Sequence, residues 1–141
     1  MDKKMKIFTV IFIIGALALG ITIYSDVAPK KSSSYDRYNS AEDCKESISP
    51  EVCYRIVAEK TGDLSLCERI REYQYTDDDD ISLCYGQAGK ANNNVEGCSK
   101  ATIILHKENC YIGIARSTNN PSLCDNIREG NFKDTCILQS S

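Results

Sequence analysis

Eight cysteines, one histidine and a run of four aspartates are the residues in this chain whose chemistry could carry a function. Zinc sites want cysteines in close pairs such as C-x2-C, with histidines nearby. Here the closest pair is Cys44 and Cys53, and His106 is the sole histidine. The C-x-x-C-H signature of covalent haem and the C-x-x-C of dithiol redox enzymes are both absent. The remaining role for so many thiols in a small domain is oxidation to structural disulfides, which persist outside the cytoplasm. No metal and no cofactor is expected.

Asp77, Asp78, Asp79 and Asp80 form the densest charge cluster. A calcium loop spaces its oxygen ligands along the chain, as D-x-D-x-D-G with a later Glu, and four consecutive aspartates do not all turn toward one ion. The structural expectation is that Asp80 or a neighbour caps a helix beginning at Ile81, where the helix dipole favours negative charge. Weak calcium binding is the alternative. His106 stands between Leu105 and Lys107, with Glu108 close by. A general base needs a nucleophile or an orienting partner, and no serine motif accompanies it, so it reads as a surface side chain. No catalytic residue is assigned.

The elements that hold these residues follow from an internal repeat. Cys53 to Cys67, Cys84 to Cys98 and Cys110 to Cys124 share the spacing C-x13-C, and Tyr54, Tyr85 or Tyr111 follows each first cysteine. Five residues after that cysteine stands Ala58, Gly89 or Ala115, and ten after it Asp63, Asn94 or Asn120. Cys136 begins a fourth, partial copy. Each copy reads as a helix, a tight turn and a second helix. In the first, Ser49 caps and Pro50 takes the first helical position, where its missing N–H costs nothing. Thr61-Gly62 ends that helix, and Asp63 caps the next. In the third, Asn120 caps a helix containing Leu123, Cys124 and Ile127. The second is weakened as a helix by Gly86, Gly89 and Gly97. Tyr and small residue lie four apart on one face, a packing role between adjacent hairpins. In general organisation the pattern is similar to disulfide-stapled tetratricopeptide-like helical arrays. It lacks their motif residues and longer period, so no family is assigned.

Geometry narrows the 105 possible pairings of eight cysteines. Facing residues of an antiparallel hairpin lie equidistant from its turn. Cys98 and Cys110 flank a bend near Ile104 in this way, and Cys124 and Cys136 flank Gly130. Within a repeat the two cysteines sit at unequal distances from the turn, an offset of about 6 Å along the helices that strains a bridge. The expected pairs are therefore Cys44–Cys53, Cys67–Cys84, Cys98–Cys110 and Cys124–Cys136.

Ahead of this cysteine-rich segment, Lys3, Lys4 and Lys6 precede an uncharged stretch from Ile7 to Tyr24. Its eighteen residues would make a helix of about 27 Å, close to the thickness of a bilayer core, and the flanking lysines favour a cytoplasmic N-terminus. Residues 1–24 are thus expected to be a membrane anchor. The rival is a cleaved signal peptide, for which Ala16-Leu17-Ala18 supplies a small-x-small site. Residues 25–40, with Pro29 and Lys30-Lys31-Ser32-Ser33-Ser34, read as a flexible linker, and 41–141 as an extracytoplasmic helical-repeat domain.

Sequence therefore predicts an all-α fold of tandem disulfide-linked helical hairpins in a short solenoid-like array. The net charge of -3 includes the N-terminal lysines, so the outer domain is more acidic still, which excludes nucleic acid and anionic lipid as partners of that domain. A non-enzymatic module that binds another protein is the expected function. The alternatives are a hydrolase acting on cell-envelope glycan through two carboxylates, or a secreted inhibitor or toxin-like factor if the signal is cleaved.

Overall fold

Proline at a first helical position and residues that accept a left-handed backbone at helix ends mark out the elements. The computed structural model describes residues 34–73 and 76–141, and among them every regular element is helical. In chain order these are α1 (Ser34–Arg37), a 3-10 helix Ala41–Cys44, α2 (Pro50–Thr61), α3 (Ser65–Arg69) continuing into a 3-10 turn Ile70–Glu72, α4 (Asp78–Ala91), α5 (Val95–Lys100), α6 (Ile104–Thr118), a 3-10 helix Pro121–Asn126 and α7 (Asn131–Ser140). The expected anchor at residues 1–24 lies outside the described residues. Among the described residues no helix is long and apolar enough to cross a membrane.

Four disulfides join Cys44 to Cys53, Cys67 to Cys84, Cys98 to Cys110 and Cys124 to Cys136, with Cα separations of 5.3, 5.6, 5.3 and 5.7 Å. Those separations sit inside the range an unstrained bridge needs. The bridges fit an oxidising, extracytoplasmic environment. Around them, α2 packs on α3 and α4, α4 on α5 and α6, and α6 on α7 and on Pro121–Asn126. One apolar cluster gathers Tyr54, Val57, Leu66, Ile70, Ile81 and Tyr85 around the first two bridges. A second gathers Tyr111, Ile114 and Ile127 around the last two.

The three copies share backbone chemistry beyond the aligned residue types. Gly62, Asn93 and Asn119 each take a left-handed conformation after the first helix, with φ of 75°, 52° and 49°. The next residue in each copy, Asp63, Asn94 or Asn120, then accepts the N–H two residues on, from Ser65 (3.0 Å), Glu96 (3.0 Å) and Ser122 (3.2 Å). Just before the turn, Thr61, Asn92 and Thr118 donate back to the carbonyls of Val57, Ala88 and Ile114 at 2.7–2.9 Å. The Ala88 carbonyl also accepts the Asn92 N–H at 3.2 Å, so the side chain adds a second hydrogen bond in the last turn, as a carbonyl's two lone pairs allow.

Several local expectations are corrected. Ser49 occupies the cap position of α2, but its side chain makes no cap hydrogen bond. The helix expected from Ile81 begins three residues earlier, at Asp78, and its cap is Asp77, which accepts the N–H groups of Asp79 and Asp80. A carboxylate reaching the second and third free N–H groups outcompetes one already inside the first turn. The bend placed near Ile104 falls at residues 101–103, where the buried Ser82 hydroxyl accepts the Ile103 N–H at 2.8 Å. The second helix of the third copy is a 3-10 helix behind Pro121. Finally, the expected linker ends too late: Tyr38 packs on the first core cluster and bonds Ser47 at 2.9 Å, and Lys60 donates to its carbonyl at 2.6 Å.

Candidate functional site

The start of α2 and the start of α4 flank a cleft of about 480 Å3. Its apolar surface comes from Pro50 and Val52 in the first turn of α2, Ile70 from the 3-10 turn, and the ring of Tyr73. Ile70 is fully buried beneath it, whereas Ile48 on the rim is 100% exposed. Tyr73 ends the 3-10 turn in an extended conformation, φ -103° and ψ 136°, which carries the chain away from the helix axis. Thr76 holds this corner by donating to the carbonyls of Ile70 (3.0 Å) and Tyr73 (2.8 Å). Behind it the Tyr73 ring lies 6.1 Å from that of Tyr54, and the Arg69 guanidinium sits 5.8 Å from the Tyr54 ring centre. Burial and the contact with Tyr54 push the Tyr73 phenol above its ordinary range.

Three charged side chains line the same cleft: Glu51, Arg55 and Asp80. Among the described residues none of the three has an ion-pair partner. Elsewhere charges pair, as in Arg69 with Glu72, Arg71 with Glu68, Lys100 with Glu96 and Lys133 with Glu129. The cleft can therefore offer to a ligand an apolar wall, two carboxylates and one guanidinium that are unpaired among the described residues.

The aspartate run is split among four tasks. Asp77 caps α4, Asp78 faces Arg71 at 3.4 Å, Asp79 bonds His106 at 3.0 Å, and Asp80 turns to the cleft. No group of three or more acidic, cysteine or histidine side chains is placed to hold a metal among the described residues. His106 is corrected from a surface residue in a bend to a side chain only 15% exposed within α6, its Nε2 directed at Asp79. This bond ties α6 to the first turn of α4. Glu108, two residues further on, is buried and takes the Arg128 side chain at 3.1 Å and its backbone N–H at 3.4 Å, so it does not serve His106.

The repeat tyrosines are all buried, as their packing role requires. Tyr85 is distinct among them. Its hydroxyl donates to the Glu68 carboxylate, which also accepts from Arg71 at 2.9 Å. Burial and then that acceptor hold the Tyr85 phenol far above the usual phenol range, and the Tyr85 bond, followed by Arg71, lowers Glu68.

Sequence reasoning missed the cleft. Its members come from the helix start Ile48 to Arg55, the 3-10 turn and the aspartate run, which no common spacing links. The one available signal was the longer interval between Cys67 and Cys84, which supplies the extra chain of this corner. No protein-family model, curated protein or solved structure matches this chain.

Proposed function

We propose that this chain is a membrane-tethered, extracytoplasmic module of tandem helical hairpins, stacked as a short array, that binds another protein and carries out no reaction itself. The observation that carries this is the cleft at the α2 and α4 starts: apolar walls and three charges unpaired among the described residues, on a scaffold whose neighbouring elements are covalently joined. Interfaces that bind with useful affinity combine an apolar centre with polar groups that find partners on association. A crosslinked scaffold lowers the entropy lost on binding. The tether is the apolar segment from Ile7 to Tyr24, with its lysines on the cytoplasmic side. Lysine-reactive cross-linking on intact cells tests the interaction reading. Discrete adducts with a protein neighbour are expected, and recovery of the uncrosslinked chain alone sinks it.

A second reading has one observation in its favour. Glu51 and Asp80 line one cleft, and paired carboxylates are the equipment of a glycan hydrolase. Such an enzyme keeps one carboxyl protonated as the acid. Lining the same cleft is all that joins these two carboxylates, which places this reading second. Incubation with purified cell-wall glycan decides: release of soluble sugar by the wild type, lost in Glu51→Gln and Asp80→Asn, establishes the hydrolase and removes the binding module.

A further inference from the structure

We infer that the cleft at the α2 and α4 starts docks a segment of a partner protein that is both apolar and basic. This rests on the protein-binding reading above and specifies its site and the chemistry of its partner.

Charge is distributed unevenly along the described chain. From Ser34 to Asp80 there are thirteen acidic residues against six basic ones, and from Ile81 to Ser141 five against six. The cleft belongs to the acidic part, since all its lining residues lie between Ile48 and Asp80. Its two carboxylates, Glu51 and Asp80, have no internal cation to satisfy them among the described residues, so lysines or arginines of a ligand would meet unspent acceptors. Complementary charge of this kind raises the association rate and sets partner choice. Arg55 is outnumbered in the cleft, and its guanidinium is free to donate to the main-chain carbonyls of the docked segment.

The apolar half of the recognition comes from Ile48, Val52 and Tyr73. A fully exposed isoleucine beside an apolar cleft costs hydration free energy in the unbound chain and recovers it when covered. A second copy docking through this same face would bring the same acidic part to the cleft and be repelled. An anionic bilayer surface is disfavoured for the same reason. A cationic, leucine-rich stretch of protein meets both demands.

The test uses the full chain in neutral detergent, with empty micelles as baseline and fluorescence anisotropy as the readout. The probe is a labelled peptide of alternating lysine and leucine. Peptides alternating glutamate with leucine, and lysine with serine, are the comparisons. The lysine–leucine peptide is expected to bind at least tenfold more tightly than either, and to weaken as salt is raised. The double variant Ile48→Ser, Asp80→Asn is expected to lose at least tenfold in affinity. Both substitutions leave the core intact, since Ile48 is fully exposed and the Asp80 carboxylate, in the first turn of α4, makes no hydrogen bond or ion pair among the described residues. Leu138→Ser, which removes an exposed apolar residue of α7, is expected to bind as the wild type does. Equal binding of the three peptides, unchanged binding by the double variant, or no binding above baseline overturns the assignment. Any of these beside a protein neighbour recovered by cross-linking leaves the module a protein binder and removes this cleft as its site.

Discussion

The bond from Tyr85 to Glu68 shows how a repeated position acquires an individual role. Tyr54, Tyr85 and Tyr111 occupy equivalent places and are all buried. Only Tyr85 has a carboxylate one residue past the second-helix cysteine of the preceding copy, at Glu68. A hydrogen bond to a charged acceptor is worth up to about 3 kcal/mol when buried. Glu68 is about half exposed, and solvent screening reduces the figure to about 1 kcal/mol. Tyr85→Phe keeps the ring and should lower unfolding free energy by about that amount at pH 7, as urea denaturation would record. The pH dependence has a definite sign. Glu68 titrates below its ordinary 4.5 in the folded chain, so its contribution is complete above that value and is lost as pH falls. Tyr85 titrates above its ordinary 10.0, so its contribution is complete below pH 10 and is lost as pH rises further. The difference between wild type and Tyr85→Phe should therefore shrink in acid. A gap unchanged from pH 7 to pH 3 would show that the charge on Glu68 contributes nothing to the bond.

At the scale of elements, the second copy departs from the other two in a way that its glycines explain. Where the first and third copies carry Leu66 and Leu123 before the second cysteine, the second carries Gly97. A Cβ at Gly97 would lie 2.6 Å from the Cα of Gly89 and 2.8 Å from the Tyr85 carbonyl oxygen. The two glycines let α4 and α5 approach backbone to backbone, a contact whose gain offsets their low helix propensity. Gly97→Leu, which restores the residue of the sister copies, is expected to destabilise the chain by about 2–3 kcal/mol through overpacking. Thermal unfolding followed by circular dichroism would register it, and a variant as stable as wild type would show that the helices have room to part. Most of this scale was legible beforehand. The helix–turn–helix order, the glycine stop at Gly62 and the polar turn residues Asp63, Asn94 and Asn120 all follow from local chemistry. The start of α4 was misplaced because any of four consecutive aspartates can cap, and only backbone geometry selects Asp77. The alignment column of Thr61, Asn92 and Thr118 was equally visible, three donors at one position, but its role depends on which carbonyl each meets.

Across the whole molecule the bridges replace the large hydrophobic side chains this chain lacks. It has no tryptophan, and Phe132, its one phenylalanine after the N-terminal apolar stretch, is half exposed. The residues that are wholly buried are mainly cysteines with Tyr54, Val57, Ile70 and Ile114. A bridge closing a loop like that of Cys67–Cys84, seventeen residues apart, stabilises by about 3 kcal/mol in the chain-entropy model. Replacing both cysteines with alanine should lower unfolding free energy by about that much, and reducing all four bridges should abolish cooperative unfolding, since the sum approaches the stability of a typical domain. Retention of a sharp thermal transition in the reduced chain would show that the apolar clusters suffice alone.

Sequence by itself determined the class of secondary structure and the recurring turn chemistry, because both arise from interactions within a few turns of chain: periodic apolar positions, helix stops and the symmetric spacing of cysteines about their bends. It also specified a chain rich in thiols and poor in aromatics, which constrains how such a domain stays folded. Tertiary structure alone decided that Ile48, Arg55, Ile70, Tyr73 and Asp80 meet in one cleft, and that His106 turns to Asp79 rather than to solvent. Those meetings depend on the packing of α2 against α4 and of α4 against α6, summed over many weak contacts between residues far apart in the chain. No local spacing encodes them.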